Sequence, residues 1–492
     1  MSPEKERRMK SEALEKIKQR FGDRATDSPF ERHLYSRDMA PVPALLVNPL
    51  FNTLPDLIVR PADADEVAEI LRLTFSNRIP VTPRAAGSTV YFNSVPVRGG
   101  IVMDLNLVKG VTSLDTAGMT VTVRTGTTWR ELDEYLNPRG FATKSYPSSA
   151  PAASIGGWFN MMGYGIGSMK YGSLHSQVRA IEAVLPNGEI RRLTRETEPP
   201  LTWFAASEGT LGVIIELELE IRKSSPMRHF MMALPDSVKM GRTVEAVIQA
   251  RPVPYNVHFA DDRYALAMRS LGFSAADAAP AYTLGIDYEG SPEELQEARD
   301  TVLALVRTDP TIRLFPEETA AREWSERFNA LRLKRGGPSV LGSEIWLPIR
   351  FLSAYLSDIR KLAGRYNLDL ISYGHGVTPE RATVMTMFHT DETGIIAYIL
   401  DLSLVKKIHD AGRRHGGFPY GVGLWNTPYL CRIFTPQQLN ELRRRKRLLD
   451  SRGIMNPGKV CRPPFILNPF NFGAAMELLA AVRRVAGRSG GR

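Results

Sequence analysis

The sequence predicts an α+β protein that is built from at least two domains. At 492 residues the chain is longer than the roughly 250 to 300 residues at which a single hydrophobic core stops growing. Its composition, 43% hydrophobic and 24% charged, is typical of a globular chain and not of a disordered one. Short β-rich runs and helical patterns alternate in two successive regions, and the order of these elements differs between the two.

Residues 1–53 are predicted to form a helical extension ahead of the first domain. Residues 4–21 are charged, and Leu14, Ile17 and Phe21 recur at helical spacing among them. This pattern indicates an amphipathic helix, mostly exposed, at the periphery of the protein.

Residues 54–224 predict the first domain, an α/β region that ends in a long strand. The runs "DLIVRP", "IPVTPR", "GGIVMDL" and "MTVTVRTG" indicate strands bounded by Pro, Gly or Asp, and "DADEVAEILRLTFSNR" indicates a helix. The run "VRAIEAVLPNGEIRRL" predicts a hairpin that turns at Pro186-Asn187-Gly188. The strand "VIIELELEI" closes the domain near residue 223.

Residues 225–420 predict a second domain with an antiparallel sheet. Strand-like runs such as "NVHFADD", "AYTLGIDYEG" and "ATVMTMFHT" alternate with helices such as "SPEELQEARDTVLALVRT". That order favours a separate α+β domain with the helices on one face of the sheet.

Charge and cysteine usage restrict the partners and the compartment. Lys plus Arg (63) exceeds Asp plus Glu (53), and this modest excess suits anionic substrates, cofactors, partners or a membrane surface. The cationic run "LRRRKRLLD" lies on a helix with an apolar stripe, so we read it as a solvated face and expect no nucleic-acid binding. Two cysteines and the absence of a signal-peptide core or a membrane span predict a cytoplasmic protein.

Three segments of small residues carry the first functional signal. In residues 80–96 a strand runs into Ala85-Ala86-Gly87-Ser88-Thr89, where successive backbone N–H groups can converge on an anion. Residues 146–173 contain six glycines, and residues 206–213 read "ASEGTLGV". Taken singly, these segments are also compatible with a strand-to-loop turn, a flexible linker and a β-bulge, respectively.

Taken in order, the three segments resemble the FAD-binding domain of the vanillyl-alcohol oxidase / p-cresol methylhydroxylase superfamily, in particular its glycolate oxidase and D-lactate dehydrogenase branch. A fourth segment, "RGIMNPGKV" at 452–460, resembles that family's C-terminal return to the flavin. The resemblance implies a two-subdomain PCMH-type FAD-binding domain over 54–224, a ferredoxin-like substrate (cap) domain over 225–420 and the return segment over 421–462.

The resemblance also implies FAD and assigns residues to it. Residues 84–89 would wrap the pyrophosphate, 147–172 would follow the ribityl chain and the isoalloxazine ring, and 208–214 would approach the adenosine half. No histidine lies between residues 80 and 96, so we expect non-covalent FAD. The predicted cofactor residues are Pro83, Arg84, Ala85, Ala86, Gly87, Ser88, Thr89, Pro147, Ser148, Ser154, Gly156, Gly157, Asn160, Gly163, Tyr171, Gly172, Glu208, Gly209, Gly212, Val213, Ile214 and Asn456.

The catalytic residues of that branch are only partly matched. His375 in "YGHGVTPERATVM" matches the first histidine of the family's metal-binding run, whereas Pro419 and Tyr420 stand where a Glu-His pair is usual. We therefore expect no metal, and we name Tyr420, His375 and Arg327 as catalytic candidates, with Arg327 suited to a substrate carboxylate. A structural histidine, a packed tyrosine and a surface ion pair are the alternatives for the three.

The sequence thus predicts an FAD-dependent dehydrogenase that acts on the CH–OH group of a small, anionic hydroxy acid or an alcohol. Two alternatives stay open: an electron-transfer flavoprotein subunit with an iron–sulfur partner, and a phenol oxidase of the same superfamily. Residues 463–492 predict an amphipathic tail that docks on its own chain, on such a partner or peripherally on a membrane surface.

Overall fold

The computed structural model describes residues 3–272, 281–461, 464, 467 and 469–489, and the chain divides into two compact units. Unit 1 consists of residues 1–163, 173–223 and 421–468. Unit 2 consists of residues 164–172, 224–420 and 469–492. Residues 164–172 therefore leave the first predicted domain for unit 2, and the start of the predicted tail, at 463, 465–466 and 468, lies outside the described residues.

The helices, in chain order, are α1 (Pro3–Phe21), α2 (Pro29–Tyr35), α3 (Ala44–Val47), α4 (Ala64–Asn77), α5 (Trp129–Leu136), α6 (Ile155–Phe159), α7 (Ser168–Tyr171), α8 (Leu174–Gln177), α9 (Ser237–Gln249), α10 (Asp262–Ser270), α11 (Pro292–Thr308), α12 (Glu317–Ser325), α13 (Leu352–Tyr366), α14 (Ile395–Arg414), α15 (Leu430–Ile433), α16 (Pro436–Leu449) and α17 (Pro469–Ser489). Short 3-10 turns cover Gly22–Arg24, Asn137–Arg139, Leu201–Trp203, Ala330–Gly336, Ile349–Phe351 and Thr427–Tyr429.

The strands, in chain order, are β1 (Ala25–Thr26), β2 (Leu57–Val59), β3 (Val81–Arg84), β4 (Ile101–Asp104), β5 (Val111–Asp115), β6 (Thr120–Arg124), β7 (Phe141–Thr143), β8 (Val178–Val184), β9 (Ile190–Leu193), β10 (Val213–Lys223), β11 (Met227–Leu234), β12 (Asn256–Ala260), β13 (Tyr282–Glu289), β14 (Arg313–Leu314), β15 (Ser339–Pro348), β16 (Ile371–Gly376), β17 (Arg381–Thr390) and β18 (Phe418–Pro419).

The smaller sheet of unit 1 has the strand order β1-β2-β4-β3, and β2, β4 and β3 run parallel. Helix α4 is capped by Asp63, whose carboxylate accepts the backbone N–H of Glu66 at 2.9 Å. The N-terminal extension also contributes to this core, because β1 pairs with β2 and the apolar side chains of Ile17 and Phe21 are buried with it. The predicted peripheral helix is therefore exposed on one side only.

The larger sheet of unit 1 has the order β5-β6-β10-β8-β9, with β7 also paired to β10, and every pairing is antiparallel. The predicted hairpin joins β8 to β9, and Gly188 adopts φ +83° in its turn. The alternation in "IIELELEI" places Leu217, Leu219 and Ile221 of β10 in the core.

The sheet of unit 2 has eight strands in the order β14-β11-β13-β12-β16-β17-β15-β18, all paired antiparallel. The longest pairing joins β15 to β17 over ten residue pairs, from Ser339↔Thr390 to Pro348↔Arg381. This sheet confirms the predicted antiparallel architecture of the second domain.

Helices cover both faces of this sheet, so the expectation that they lie on one face was wrong. Thr386 on β17 bonds to the hydroxyl of Tyr355 on α13 at 2.9 Å. The preceding residue, Met385, points to the opposite face and pairs with Tyr373 of β16. The ring of Tyr373 contacts that of Tyr264 on α10 at 5.2 Å. The physical reason is that both alternate rows of side chains in these strands are apolar or aromatic enough to bury.

Helix α17 packs against α14 within unit 2. Glu477 of α17 accepts from Lys406 at 2.6 Å and from Lys407 at 2.5 Å, and Arg483 donates to Asp401 at 2.7 Å. The tail therefore docks on its own chain. Within the described ranges, every helix is too short or too polar to cross a lipid bilayer.

Candidate functional site

The loop after β3 offers backbone donors to an anion. Within the part of the chain that the structure describes, the N–H groups of Ala85, Ala86, Gly87 and Ser88 donate to no other residue. The five residues 85–89 are only partly covered or exposed, with small side chains. Adjacent unpaired N–H groups of this kind form a concave site that favours a negatively charged group.

Gly87 and Arg84 fix the shape of this loop. Gly87 adopts φ +62°, and a Cβ atom there would lie 2.6 Å from the Arg84 guanidinium. That guanidinium is held over the ring of Tyr35 at 5.1 Å and donates to the carbonyl of Arg37. Residues of the N-terminal extension therefore hold the predicted pyrophosphate loop.

The segment around α6 packs closely on the larger sheet of unit 1. Ser154 caps α6 by accepting the N–H of Gly157 at 3.3 Å. A Cβ at Gly156 would lie 1.7 Å from Oγ1 of Thr125, so only glycine fits there. Asn160 then ends α6 and links it to the next segment, because its Oδ1 accepts from the N–H of Gly209 at 3.0 Å.

The 206–214 segment has a strained backbone and a buried acid. Ala206, Glu208 and Gly209 all adopt positive φ, between +52° and +69°. The Glu208 carboxylate does not bind neighbouring N–H groups but accepts those of Val422 at 3.2 Å and Gly423 at 2.9 and 3.0 Å. Burial raises the pKa of Glu208 to about 7.

Asn456 and Lys459 tie this segment to the return segment. The Asn456 amide donates to the carbonyls of Glu208 at 2.7 Å and Asn93 at 2.9 Å. Lys459 Nζ donates to Asn456 Oδ1 at 3.1 Å and to the carbonyl of Val95 at 2.7 Å, and burial lowers its pKa to about 8. The side-chain amide of Asn456 is thus occupied by protein groups, and its placement beside the flavin stays a prediction.

The remaining predicted cofactor residues fall in both units. Pro147 and Ser148 lie in a turn closed by the N–H of Ala150, and Gly212, Val213 and Ile214 enter β10. Gly163 is the last residue of unit 1 before the segment 164–172, and it adopts φ +68°. Tyr171 and Gly172 belong to unit 2, where the Tyr171 hydroxyl donates to Glu289 at 2.5 Å.

In unit 2 the predicted catalytic residue His375 lies two residues after Tyr373 on β16, and therefore on the sheet face that α10 partly covers. His375 of β16 is in register with His258 of β12, and their ring centroids are 6.3 Å apart. His229 of β11 lies on the same face, because it pairs with Asp287, which pairs with Asn256 two residues before His258. We name this side of the sheet the histidine face, after His229, His258 and His375.

His375 is neutral in this environment. The ring is partly covered, and the packing around it lowers its pKa to about 3 by desolvation, with a further contribution from His258. Nδ1 lies 3.3 Å from Oδ1 of Asn256. An amide oxygen only accepts hydrogen bonds, so Nδ1 carries the hydrogen and Nε2 carries the lone pair.

Arg327 lies against aromatic rings near the end of α12. Its guanidinium is 4.3 Å from the ring centroids of both Trp324 and Phe328, and one nitrogen donates to the Trp324 carbonyl at 2.9 Å. A planar guanidinium with five N–H donors matches the geometry of a carboxylate. Trp324 also stacks on His229, with ring centroids 5.1 Å apart, so Arg327 and the histidine face share one aromatic ring.

Tyr420 bonds to the short segment 164–172. Its hydroxyl donates to the Tyr164 carbonyl at 2.9 Å and accepts the Tyr164 N–H at 3.1 Å. Trp346 lies next to both rings, 4.5 Å from Tyr164 and 6.4 Å from Tyr420. The hydroxyl proton is engaged with a carbonyl, and the catalytic role of Tyr420 stays a prediction.

Sequence reasoning missed most of the histidine face. His229, Asn256, His258, Asp287 and Glu289 occupy one face, on strands whose other positions are largely apolar. The signal was present: polar residues at every second position of "NVH" and "DYE" are unusual in strands that are otherwise buried. Within the described residues, no three His, Cys, Asp or Glu side chains form a group that could hold a metal ion.

Comparison with known families decides the identity of the chain. Residues 55–194 match the family described as FAD binding domain, and residues 224–460 match the family of FAD linked oxidases, C-terminal domain. The chain belongs to the FAD-linked oxidases. FAD is therefore its cofactor, and the family resemblance inferred from the small-residue segments is confirmed.

Curated relatives of this FAD-linked oxidase align along more than four fifths of its length. The glycolate oxidase subunit GlcD of Bacillus subtilis is 24% identical over 447 residues, covering 88% of this chain and 93% of the relative. The mitochondrial D-lactate dehydrogenase [cytochrome] of Arabidopsis thaliana is 25% identical over 426 residues, covering 83% of this chain and 74% of the relative. The chain is thus an FAD-dependent oxidoreductase.

Solved structures share the fold. A substrate-bound p-cresol methylhydroxylase aligns with a TM-score of 0.79 at 16% identity, covering 92% of this chain and 97% of that one. A 4-ethylphenol oxidase from Gulosibacter chungangensis aligns with a TM-score of 0.77 at 14% identity, covering 95% and 99%, respectively. At these identities the likeness shows the PCMH-type fold alone, and it confirms the predicted fold class.

The residues of unit 1 fit FAD. The unpaired N–H groups of 85–88 suit a pyrophosphate, and the glycines at 87 and 156 keep the backbone close to its surroundings. Side chains of Asn160, Glu208 and Asn456, the last two of them buried, fasten the three small-residue segments and the return segment to one another. The assignment of individual residues to the cofactor stays a prediction.

Proposed function

We propose that this FAD-linked oxidase removes hydrogen from the CH–OH group of a small 2-hydroxy acid. The observation that carries the proposal is Arg327, a guanidinium stacked on Trp324 and Phe328 and next to the histidine face. Relatives named glycolate oxidase and D-lactate dehydrogenase support a hydroxy-acid substrate, and the net charge of +10 suits an anion.

The roles of the residues follow from their chemistry. FAD, when bound, would supply the acceptor for a hydride from the substrate carbon. Arg327 binds the substrate carboxylate through paired hydrogen bonds, and neutral His375 accepts a hydrogen bond at Nε2. Tyr420 holds the backbone of Tyr164 in place. No step requires a metal ion.

Anaerobic reduction of the bound flavin tests this proposal. The purified, FAD-loaded protein is mixed with D-lactate, L-lactate, glycolate or p-cresol, and the visible absorbance of oxidised flavin is followed. We expect at least one hydroxy acid to bleach the flavin and a dye acceptor to restore it. Bleaching by p-cresol alone, or by none of the compounds, would contradict the proposal.

Phenol oxidation is the second candidate. It is supported by the aromatic group Tyr164, Trp346 and Tyr420 of unit 2, which suits an aromatic substrate. The engagement of the Tyr420 hydroxyl with Tyr164 counts against it, because that group is then not available to take a phenolic proton. The p-cresol arm of the reduction experiment separates the two candidates.

We also propose that FAD is bound without a covalent link. The pyrophosphate loop and its flanking residues 80–96 lack the histidine that such a link uses in some members of the superfamily. Acid precipitation of the holoprotein should leave the yellow flavin in the supernatant. A yellow pellet that keeps its colour after washing would show a covalent bond.

The chain is further proposed to work as a subunit that passes electrons to an iron–sulfur partner. The relative GlcD is named a subunit, and the outer side of α17 exposes Leu478 (68%) and Val482 (47%), four residues apart. Affinity purification of the wild type from the native host should recover an iron-containing protein. The double variant Leu478→Ser and Val482→Ser should no longer recover it. If the purified protein is instead retained on anionic vesicles, the exposed side of α17 binds a membrane surface and not a protein partner.

A further inference from the structure

His229 and Asp287 form a hydrogen-bonded pair in the middle of the histidine face. Nδ1 of His229 lies 2.8 Å from Oδ1 of Asp287. The Asp287 side chain is 2% exposed and that of His229 is 15% exposed, so the acid lies behind the ring and the ring is partly open. A carboxylate accepts hydrogen bonds, so Nδ1 of His229 donates to Asp287 and Nε2 is the nitrogen that faces away from the acid.

Asn256 fixes the other oxygen of the acid. Its Nδ2 donates to Oδ2 of Asp287 at 2.8 Å, and this fixes the amide so that Oδ1 faces His375. Both oxygens of Asp287 are therefore engaged, and the carboxylate has one orientation. An imidazole whose Nδ1 is held by a fixed carboxylate is oriented for proton transfer at Nε2.

Trp324 places this pair next to the anion-binding candidate. The ring of His229 stacks on the indole with an interplanar angle of 23°, and the Arg327 guanidinium lies 4.3 Å from the same indole. A 2-hydroxy acid has its carboxylate and its hydroxyl on adjacent carbons. Such a substrate requires a cation for its carboxylate and a base for its hydroxyl. Arg327 and His229 are two such groups, and both contact the indole of Trp324.

We propose that His229, oriented by Asp287, is the general base that takes the hydroxyl proton of the substrate while Arg327 binds its carboxylate. The proposal rests on the proposed function. The O–H bond breaks, its proton moves to Nε2 of His229, and its electron pair forms the second C–O bond. The hydride from the same carbon is the two-electron equivalent that oxidised FAD accepts, and His229 later returns its proton to solvent.

Other titratable groups surround the pair. His258 on β12 approaches Asp287 to 3.8 Å, and His375 lies beyond Asn256. On α12, burial raises the pKa of Glu323, and Glu326 follows at the end of that helix. Arg327 adds a permanent positive charge. The pH dependence of the reaction therefore includes these neighbours, and only a change at His229 itself can identify the base.

The test compares His229→Gln with a matched histidine–aspartate pair elsewhere in unit 2. His415 lies 3.2 Å from Asp358 with a similar exposed fraction, 18%, and it is no part of the proposed machinery. His415→Gln is therefore the control. FAD absorbance and thermal melting verify that each variant folds. Binding of pyruvate, the oxidised form of lactate, is measured by calorimetry.

We expect His229→Gln to slow flavin reduction by D-lactate or glycolate at neutral pH at least about 100-fold, which is typical of a lost general base. The wild-type rate of flavin reduction should fall toward acidic pH, and this fall should be absent from His229→Gln. The Kd for pyruvate should change less than about threefold. Asp287→Asn should reproduce a large part of the loss, and His415→Gln should change none of these quantities.

Three outcomes overturn different claims. Wild-type rate and pH profile in His229→Gln, with the wild type itself reduced by a hydroxy acid, would exclude His229 as the base and leave the proposed function intact. A parallel rise of the pyruvate Kd and fall of the rate would show a role in binding rather than in proton transfer. If no hydroxy acid reduces the wild type, the proposed function and this inference both fail.

Discussion

The two functional regions of this oxidase are built in opposite ways. The cofactor segments of unit 1 present backbone N–H groups and small residues, and their polar side chains, such as Glu208 and Asn456, fasten segments of protein to one another. The histidine face of unit 2 presents side chains, taken one or two at a time from strands far apart in the sequence. A backbone site requires a contiguous motif, whereas a sheet face requires only that strands come into register.

Cofactor and substrate sites built in these two ways should differ in their response to mutation. In the cofactor segments, a change is severe where it adds a side chain, because the backbone is already close to its neighbours. On the histidine face, a change is severe where it removes a side chain, because the chemistry lies there. The predictions below test that asymmetry.

The largest effect is expected for Arg327→Gln, which removes the carboxylate-binding cation. The KM for the hydroxy acid should rise about 100-fold, equivalent to about 2.7 kcal/mol, because a charged hydrogen-bonding partner is lost. FAD content should not change. Arg322→Gln is the control, since Arg322 lies on α12 and its side chain is 61% exposed. Equal KM values in the two variants would exclude Arg327 from the substrate site.

The backbone region is visible in the sequence as motifs, whereas the side-chain region is not, for a physical reason. Ala85 to Thr89 and Ser207 to Gly212 are contiguous, so their small side chains are visible as motifs. His229, Asn256 and Asp287 meet only through strand pairing, and register cannot be read from one strand alone. The partner of Glu208 was missed in the same way, because Val422 and Gly423 follow it by more than 200 residues.

A smaller effect is expected for Gly87→Ala in the pyrophosphate loop. The change adds a Cβ at φ +62°, which strains the backbone, and within 2.6 Å of the Arg84 guanidinium, so that side chain or the loop must move. The Kd for FAD should rise about tenfold, or about 1.4 kcal/mol, while Arg327 and the histidine face are untouched. Gly140→Ala is the matched control, because Gly140 has φ +78° and open space around it. It should lower the melting temperature without changing the FAD Kd.

Glu208 should make stability fall with rising pH. Its pKa is raised by burial to about 7 from the ordinary 4.5, so between these values the folded protein holds a proton that the unfolded chain has released. Stability then decreases as pH rises from about 4.5 to about 7, by on the order of 1 to 3 kcal/mol. Lys459, whose pKa is lowered to about 8, acts in the opposite direction above that pH.

Glu208→Gln should flatten the first of these slopes, because the amide oxygen can still accept the N–H groups of Val422 and Gly423. Melting temperatures of the apoprotein from pH 5 to pH 7.5 measure this slope of stability against pH. Glu189→Gln changes an acid that is 52% exposed and should leave the slope as it is. An unchanged slope in Glu208→Gln would place the proton on another buried group.

The smallest effect is expected on the surface of unit 2, at Glu477. This residue joins α17 to α14 through Lys406 and Lys407, but it is 49% exposed, so solvent screens both ion pairs. Glu477→Ala should lower the free energy of unfolding by about 0.5 to 1 kcal/mol, and added salt should reduce the difference. Denaturant titration at low and high ionic strength measures both quantities. Flavin reduction should keep its wild-type rate, since neither the cofactor segments nor the histidine face includes α17, and a slower rate would show that the tail contributes to catalysis.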